Sequence, residues 1–119
     1  MTNEFVSQVF EAVDSGDAAT FVGFFSEQGR MVFANGEPMI GPAQIEAGVQ
    51  AFFGTINALR HTVVREWVQG ADTIVELTVE YDRLDGRTVT IPAVTIWHVD
   101  ADHRIDDYRV YFDVAPIYR

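Results

Sequence analysis

Three residues in the second half of the chain have side chains suited to moving protons: His61, Glu80 and Asp82. Histidine is the natural proton shuttle near neutral pH, because small changes of environment move its charge across that range. A carboxyl group enclosed by apolar walls can have its pKa raised by up to ~3–5 units through desolvation. So tuned, it can act as a general acid or base. Glu80 and Asp82 are two residues apart, a spacing that puts both on one side of a strand. The chemistry such a set supports is isomerisation, cyclisation or hydration, and it needs no cofactor. Each group also has a plainer role open to it. Either carboxylate can pair with Arg65 or Arg83, and a histidine at a strand end can simply bond at the surface. His98 and His103 flank the acidic hairpin Asp100-Ala101-Asp102, where a solvated turn is preferred over a metal site. No HExxH or facial-triad spacing occurs, so no metal is expected.

The composition excludes several other chemistries. The 119 residues contain no cysteine, which removes thiol catalysis and Cys-based zinc sites. All eight basic residues are arginine, so Schiff-base chemistry and the phosphate-loop lysine are absent. Ser7, Ser15 and Ser26 are the only serines, and none lies in a GxSxG turn. A net charge of −10 repels phosphate backbones, so no nucleic-acid partner is expected. No apolar run approaches the ~20 residues of a membrane span, and Met1 to Phe10 lacks the pattern of a signal peptide. A cytoplasmic protein without membrane association is the expectation.

One domain, residues 1–119, is expected to position these groups. Phe5, Val6, Val9, Phe10 and Val13 recur at helical spacing over 3–14, with Thr2 as candidate cap. Asp17 caps a second helix, with Phe21, Val22, Phe24 and Phe25 inward and Gly29 as its stop. A short strand spans Arg30 to Asn35. Gly41-Pro42 opens a third helix with Ile45, Val49, Phe52 and Phe53 inward, and Gly54 closes it. Eight of the nine phenylalanines precede Asn57, so this helical half should pack a large apolar surface. From Leu59 the period becomes two, giving strands at about 59–69, 73–83, 87–99 and 104–113. Gly70-Ala71-Asp72, Asp85-Gly86 and Asp100-Ala101-Asp102 join them as hairpins. Pro92 cannot donate to a ladder, so it marks a bulge or an unpaired edge. The fold class is α+β: three N-terminal helices packed on a curved antiparallel sheet, forming a cone whose open end is a pocket.

Several segments, in this order, resemble the SnoaL-like (polyketide-cyclase-like) group of the nuclear-transport-factor-2-like superfamily. They are Ser15-Gly16-Asp17, Phe33-Ala34-Asn35-Gly36 with Pro38-Met39-Ile40-Gly41, Leu84-Asp85-Gly86-Arg87, and Asp107 to Asp113. The resemblance implies the cone fold, a small hydrophobic ligand and a homodimer formed through the outer sheet face. It also implies departures from the family's enzymes. Against ketosteroid isomerases, Phe33 stands at the base, Thr95 at the oxyanion-hole acid and Val9 at the first-helix tyrosine. Against the epoxide hydrolases Asn35 matches a water-positioning asparagine, whereas Phe33 replaces a tyrosine and Val110 an aspartate. Glu80 and Asp82 fall on the Arg-x-Asp pair. Neither family mechanism is therefore expected intact.

Two registers compete for the strand at 73–83. Simple alternation turns Val75, Leu77, Val79 and Tyr81 to the core. The resemblance turns Thr78, Glu80 and Asp82 inward instead, and a slip of one residue exchanges the two sets. The resemblance register is the one adopted, because it also turns Tyr108, Val110 and Phe112 inward. His61 then shares a face with Val63, Arg65 and Trp67. The expected walls are Phe33, Trp67, Trp97, Tyr108 and Val110, with Asn35, Thr95 and Tyr108 orienting a carbonyl or hydroxyl of the ligand. The competing outcome is a cone filled by its own aromatic side chains. A polyketide-, terpenoid- or steroid-like ligand is expected, with proton transfer by His61, Glu80 and Asp82; the alternative is a non-catalytic binding or dimerisation module.

Overall fold

The computed structural model describes residues 3–119. The elements in chain order are α1 (Glu4–Asp14), α2 (Ala18–Val22), β1 (Phe25–Phe33), β2 (Met39–Ile40) and α3 (Pro42–Phe53). They are followed by β3 (Ile56–Gln69), β4 (Asp72–Arg83), β5 (Thr88–Val99), β6 (Ile105–Tyr111) and α4 (Ala115–Tyr118). All six strands form one curled, unclosed sheet in the order β2-β1-β6-β5-β4-β3. The α+β class and the antiparallel meander of β3 to β6 are as expected. The pairing of β1 with β6 is parallel, and β2 and α4 are additions to the sequence reading. Among the described residues, no helix is long and apolar enough to cross a membrane.

Helix α1 forms because its apolar residues recur at three and four, and Val6, Val9, Phe10 and Ala12 are buried. Each large side chain so covered contributes roughly 1.5–3 kcal/mol. The cap is Asn3, whose Oδ1 accepts from the Phe5 N–H at 2.8 Å; Thr2 lies outside the described residues. Asp17 caps α2 as expected, accepting from the Thr20 N–H at 3.0 Å. That helix stops at Gly23 rather than Gly29. A helix of so few residues gains little on its own. The Phe24 carbonyl instead accepts from Ile105 N at 2.8 Å, and Phe25 pairs with Ile105 on β6. Gly29 sits in the irregular stretch that follows. A Cβ there would be 3.0 Å from the Phe25 ring and 3.1 Å from the Ile105 carbonyl.

On β4 the buried residues are Thr73, Val75, Leu77, Val79 and Tyr81, so simple alternation holds and the resemblance register does not. The reason is cross-strand pairing. Val75 lies opposite Thr95, and Thr95 opposite Val110. Residues directly opposite share a face, so an inward Thr95 and Val110 require an inward Val75, and a period of two turns Glu80 and Asp82 outward. Burying two carboxylates in place of four apolar side chains would also have cost several kcal/mol per ion.

A second correction lies on β3. Val63 pairs with Leu77 and Arg65 with Glu76, leaving Val64 as an extra residue. This bulge reverses the faces beyond it. Leu59, His61 and Val63 turn toward the concave side, whereas Arg65 and Trp67 turn away from it. Trp67 is 48% exposed, with the Arg65 guanidinium 5.9 Å from its ring centre. Pro92 lies beyond the β5–β6 ladder, which begins at Val94 opposite Tyr111. There β5 has only β4 beside it, and the missing N–H costs no ladder bond on the free side.

Candidate functional site

The concave face of the sheet and helices α1 to α3 enclose a cavity of about 250 Å³. Sequence alternation positions its floor: Leu59 and His61 on β3, Leu77, Val79 and Tyr81 on β4, Thr95 on β5, Tyr108 and Val110 on β6. The helical side is closed by Val13, Phe21, Val49, Phe52 and Phe53, and by Gly48 of α3. Phe33 and Met39 stand near the mouth with Gly36 and Glu37. Phe33 packs on both Phe52 and Phe112, at centroid distances of 4.7 and 5.1 Å. The cone is thus partly filled by phenylalanine, and a smaller hollow remains. A dry cavity of about 150 Å³ accepts benzene, and drug-sized ligands use roughly 300–1,000 Å³. The space here suits a molecule of one or two rings.

His61 forms part of the cavity wall, and its side chain is 10% exposed. Its ring stacks on Phe10 at 4.7 Å. The Asp14 carboxylate grips the residue twice, through Oδ2 to the His61 backbone N–H at 3.0 Å and through Oδ1 to Nδ1 at 2.5 Å. With the ring neutral, this second bond places the proton on Nδ1 and leaves Nε2 as an acceptor. Asp14 is the last residue of α1, where a negative charge opposes the helix dipole by about 0.3–1 kcal/mol. That misplaced acid was the signal available in the sequence, and the sequence reading missed it.

Three hydroxyl-bearing side chains join His61 on the walls: Tyr81, Tyr108 and Thr95. Tyr108 is 2% exposed and stacks flat on Trp97 at 5.7 Å. Burial pushes the Tyr108 phenol well above its ordinary range, and it does the same to Tyr81. Both stay protonated and can donate to a ligand oxygen.

Of the residues expected at the site, His61, Phe33, Thr95, Tyr108 and Val110 line the cavity. Five do not. Glu80 and Asp82 lie on the outer sheet face around Arg60, a partner different from the expected Arg65 or Arg83. Arg60 Nε donates to Glu80 Oε1 at 2.8 Å, and its Nη2 to Asp82 Oδ1 at 2.9 Å. Asp82 also accepts from the Thr88 hydroxyl at 3.1 Å. The hydrogen bond from Arg60 holds the Asp82 carboxyl below the usual carboxylate range, the reverse of the upward shift an enclosed acid would show. Trp97 is buried on the same concave face, stacked on Tyr108 and packed against Phe5 and Phe10 of α1, and does not line the cavity. Trp67 is turned away by the β3 bulge. Asn35 follows the end of β1, in a turn where Ala34 has φ +54°. The strand alternation stops before it, and Asn35 faces a shallow depression beside Tyr111 and Asp113. Among the described residues, no three His, Asp or Glu side chains gather as a metal set.

A family model described as a SnoaL-like domain matches residues 6–108. Solved structures share the fold at low sequence identity. A protein from Catenulispora acidiphila with a ketosteroid isomerase-like fold, solved with trimethylamine, superposes with a TM-score of 0.89 at 18% identity. The match covers 98% of this chain and 91% of that one. A Jannaschia protein assigned as a SnoaL-like polyketide cyclase gives 0.76 at 20% identity, covering 94% and 87%. An epoxide hydrolase of Mycobacterium tuberculosis gives 0.77 at 19%, covering 95% and 83%. No curated protein matches the sequence.

Proposed function

The chain belongs to the SnoaL-like domain family, and from that premise we propose that it holds a hydrophobic molecule of one or two rings and moves a proton on it. His61 acts as the acid-base group, and Asp14 fixes its tautomer and orientation. The carrying observation is His61 in the wall of a largely apolar cavity, with its Nδ1 held by the Asp14 carboxylate behind it. With Nδ1 held by the carboxylate, Nε2 is the nitrogen left to take a proton from a bound molecule, and the carboxylate stabilises the imidazolium that results. Tyr108, Tyr81 and Thr95 supply hydroxyls for a carbonyl or hydroxyl on the ligand. The reaction class is isomerisation, cyclisation or hydration without a cofactor. The cavity volume favours a terpenoid or a one- or two-ring aromatic ketone over a four-ring steroid or polyketide. The cyclase and epoxide hydrolase activities named for the structural neighbours are of the same general kind. Glu80 and Asp82 have no part in this reading, because they lie outside the cavity.

Their absence from the cavity favours a second reading, a binding module without turnover. Thermal shift against terpenoid and aromatic ketones separates the two. A true ligand at one hundred times its Kd adds about 2.7 kcal/mol, which is roughly 10 °C for a chain of this size. Compounds that stabilise are then incubated with the wild type and with His61→Gln. The catalytic reading expects product from the wild type and at least a hundredfold slower formation by the variant, with binding retained. Stabilisation without product supports the binding module, and no stabilisation by any compound rejects both.

A further inference from the structure

Gly48 lies in the interior of α3, one turn and a half from either end. Glycine is the least favourable helix residue other than proline. Such a position calls for a reason in packing. The reason here is Met39. A Cβ on Gly48 would overlap the Met39 thioether sulfur and would stand 3.6 Å from its Cγ and Cε. The methionine side chain therefore lies across α3 in a notch that exists because residue 48 has no side chain. Its backbone is held in place on both sides. Met39 pairs with Met31 of β1, and the next N–H, of Ile40, donates to Gln44 Oε1 at 2.8 Å. Both Met39 and Gly48 line the cavity.

We propose that Met39, seated in the Gly48 notch, sets the size of molecule the cavity accepts. The inference rests on the reading of the cavity as a ligand site and adds to it the residue that limits ligand length. Because the strand and helix backbones are both fixed, any atom added at position 48 must push the Met39 side chain. Met39 is half-buried at the mouth, and the cavity is the open volume on its inner side. Methionine suits this task, since its unbranched side chain has three soft torsions and adapts its shape to the space left. Gly48→Ala thus shortens the cavity, and Met39→Ala lengthens it. In the double variant the alanine methyl meets an empty notch, so the effect of Gly48→Ala disappears.

The experiment uses xenon uptake, followed by 129Xe NMR, together with calorimetric titration of benzene, propylbenzene and naphthalene. Four proteins are compared: wild type, Gly48→Ala, Met39→Ala and the double variant. Xenon occupies apolar cavities whatever their chemistry, so it reads the space without assuming a natural ligand. Gly48→Ala is expected to weaken xenon uptake and to cut naphthalene affinity at least tenfold while sparing benzene. Met39→Ala and the double variant are expected to agree within twofold of each other and to exceed the wild type. Equal xenon uptake by all four proteins overturns the proposal. So does a Gly48→Ala effect that persists unchanged when Met39 is already alanine. If xenon follows the expected order but no organic molecule binds any of the proteins, the size gate stands and the ligand-site reading falls.

Discussion

Replacing Asp14 with asparagine is the most direct probe of the site, because the change is nearly isosteric and its consequence can be worked out from two hydrogen bonds. The amide oxygen of the new side chain can keep accepting from the His61 backbone N–H, as Asp14 Oδ2 does at 3.0 Å. Its NH2 group then faces Nδ1, where the carboxylate now sits at 2.5 Å. Nδ1 has to become an acceptor, so the ring proton moves to Nε2. The ring nitrogen not bonded to residue 14 changes from base to donor. The stability change is a balance. A charge-assisted hydrogen bond worth about 1.5–3 kcal/mol becomes a neutral one worth about 0.5–1.5 kcal/mol. Relief of the repulsion between Asp14 and the α1 dipole returns about 0.3–1 kcal/mol. The net expectation is a loss of roughly 0–1.2 kcal/mol, or at most about 5 °C in Tm. Loss of a general base slows turnover by about 10²–10⁴-fold, equivalent to about 2.7–5.4 kcal/mol of barrier. The tautomer can be read without any substrate, by long-range 1H–15N correlation of the imidazole at neutral pH. Wild type should show a protonated Nδ1 and Asp14→Asn a protonated Nε2. If both proteins show the same tautomer, the proposed role of Asp14 is wrong.

Two further outcomes follow from the same geometry. Tyr108→Phe removes a hydroxyl on a residue that lines the cavity, so Tm should hold or rise slightly if no protein group bonds to it. Affinity for a ketone ligand should nevertheless fall several-fold in calorimetric titration, and a clear drop in Tm would mean that the hydroxyl is already used within the protein. Asp82→Asn tests the outer-face network. The native pKa of Asp82 is lowered by Arg60, so its contribution is full above the unfolded value of about 3.9 and is lost as pH falls through the native one. The difference in urea midpoint between wild type and variant should therefore be present at pH 6 and shrink below about pH 4. Cavity binding should stay unchanged throughout, and a midpoint difference independent of pH would contradict the pairing.

How much of this could be read from the sequence depends on the length scale of the signal. Period-two patterning and the Asp85-Gly86 turn located the meander, and the Phe-rich stripes located α1 and α3. The helix expected at 18–29 was cut at Gly23 because Phe25 found a β6 partner some eighty positions away, and no local pattern carries that information. The bulge at Val64 was hidden for a similar reason. Val63-Val64-Arg65-Glu66-Trp67 shows no glycine or proline to mark it, so Trp67 looked like a neighbour of His61. The placement of Glu80 and Asp82 was a different kind of error, since the chain itself argued against it. A short hairpin loop around Asp85-Gly86 sets β4 against β5 by turn geometry, and Val79 then lies opposite Ile91, Tyr81 opposite Val89 and Asp82 opposite Thr88. With Thr95 and Val110 already turned inward, that pairing leaves one face apolar and the other acidic. The family resemblance points to the opposite register, which the pairing excludes. The carboxylate that grips the cavity-wall histidine comes from the end of α1, where its charge opposes the helix dipole. A misplaced charge of that kind is a better guide to a functional acid than two carboxylates alternating along a strand, where solvent and a nearby arginine already satisfy them.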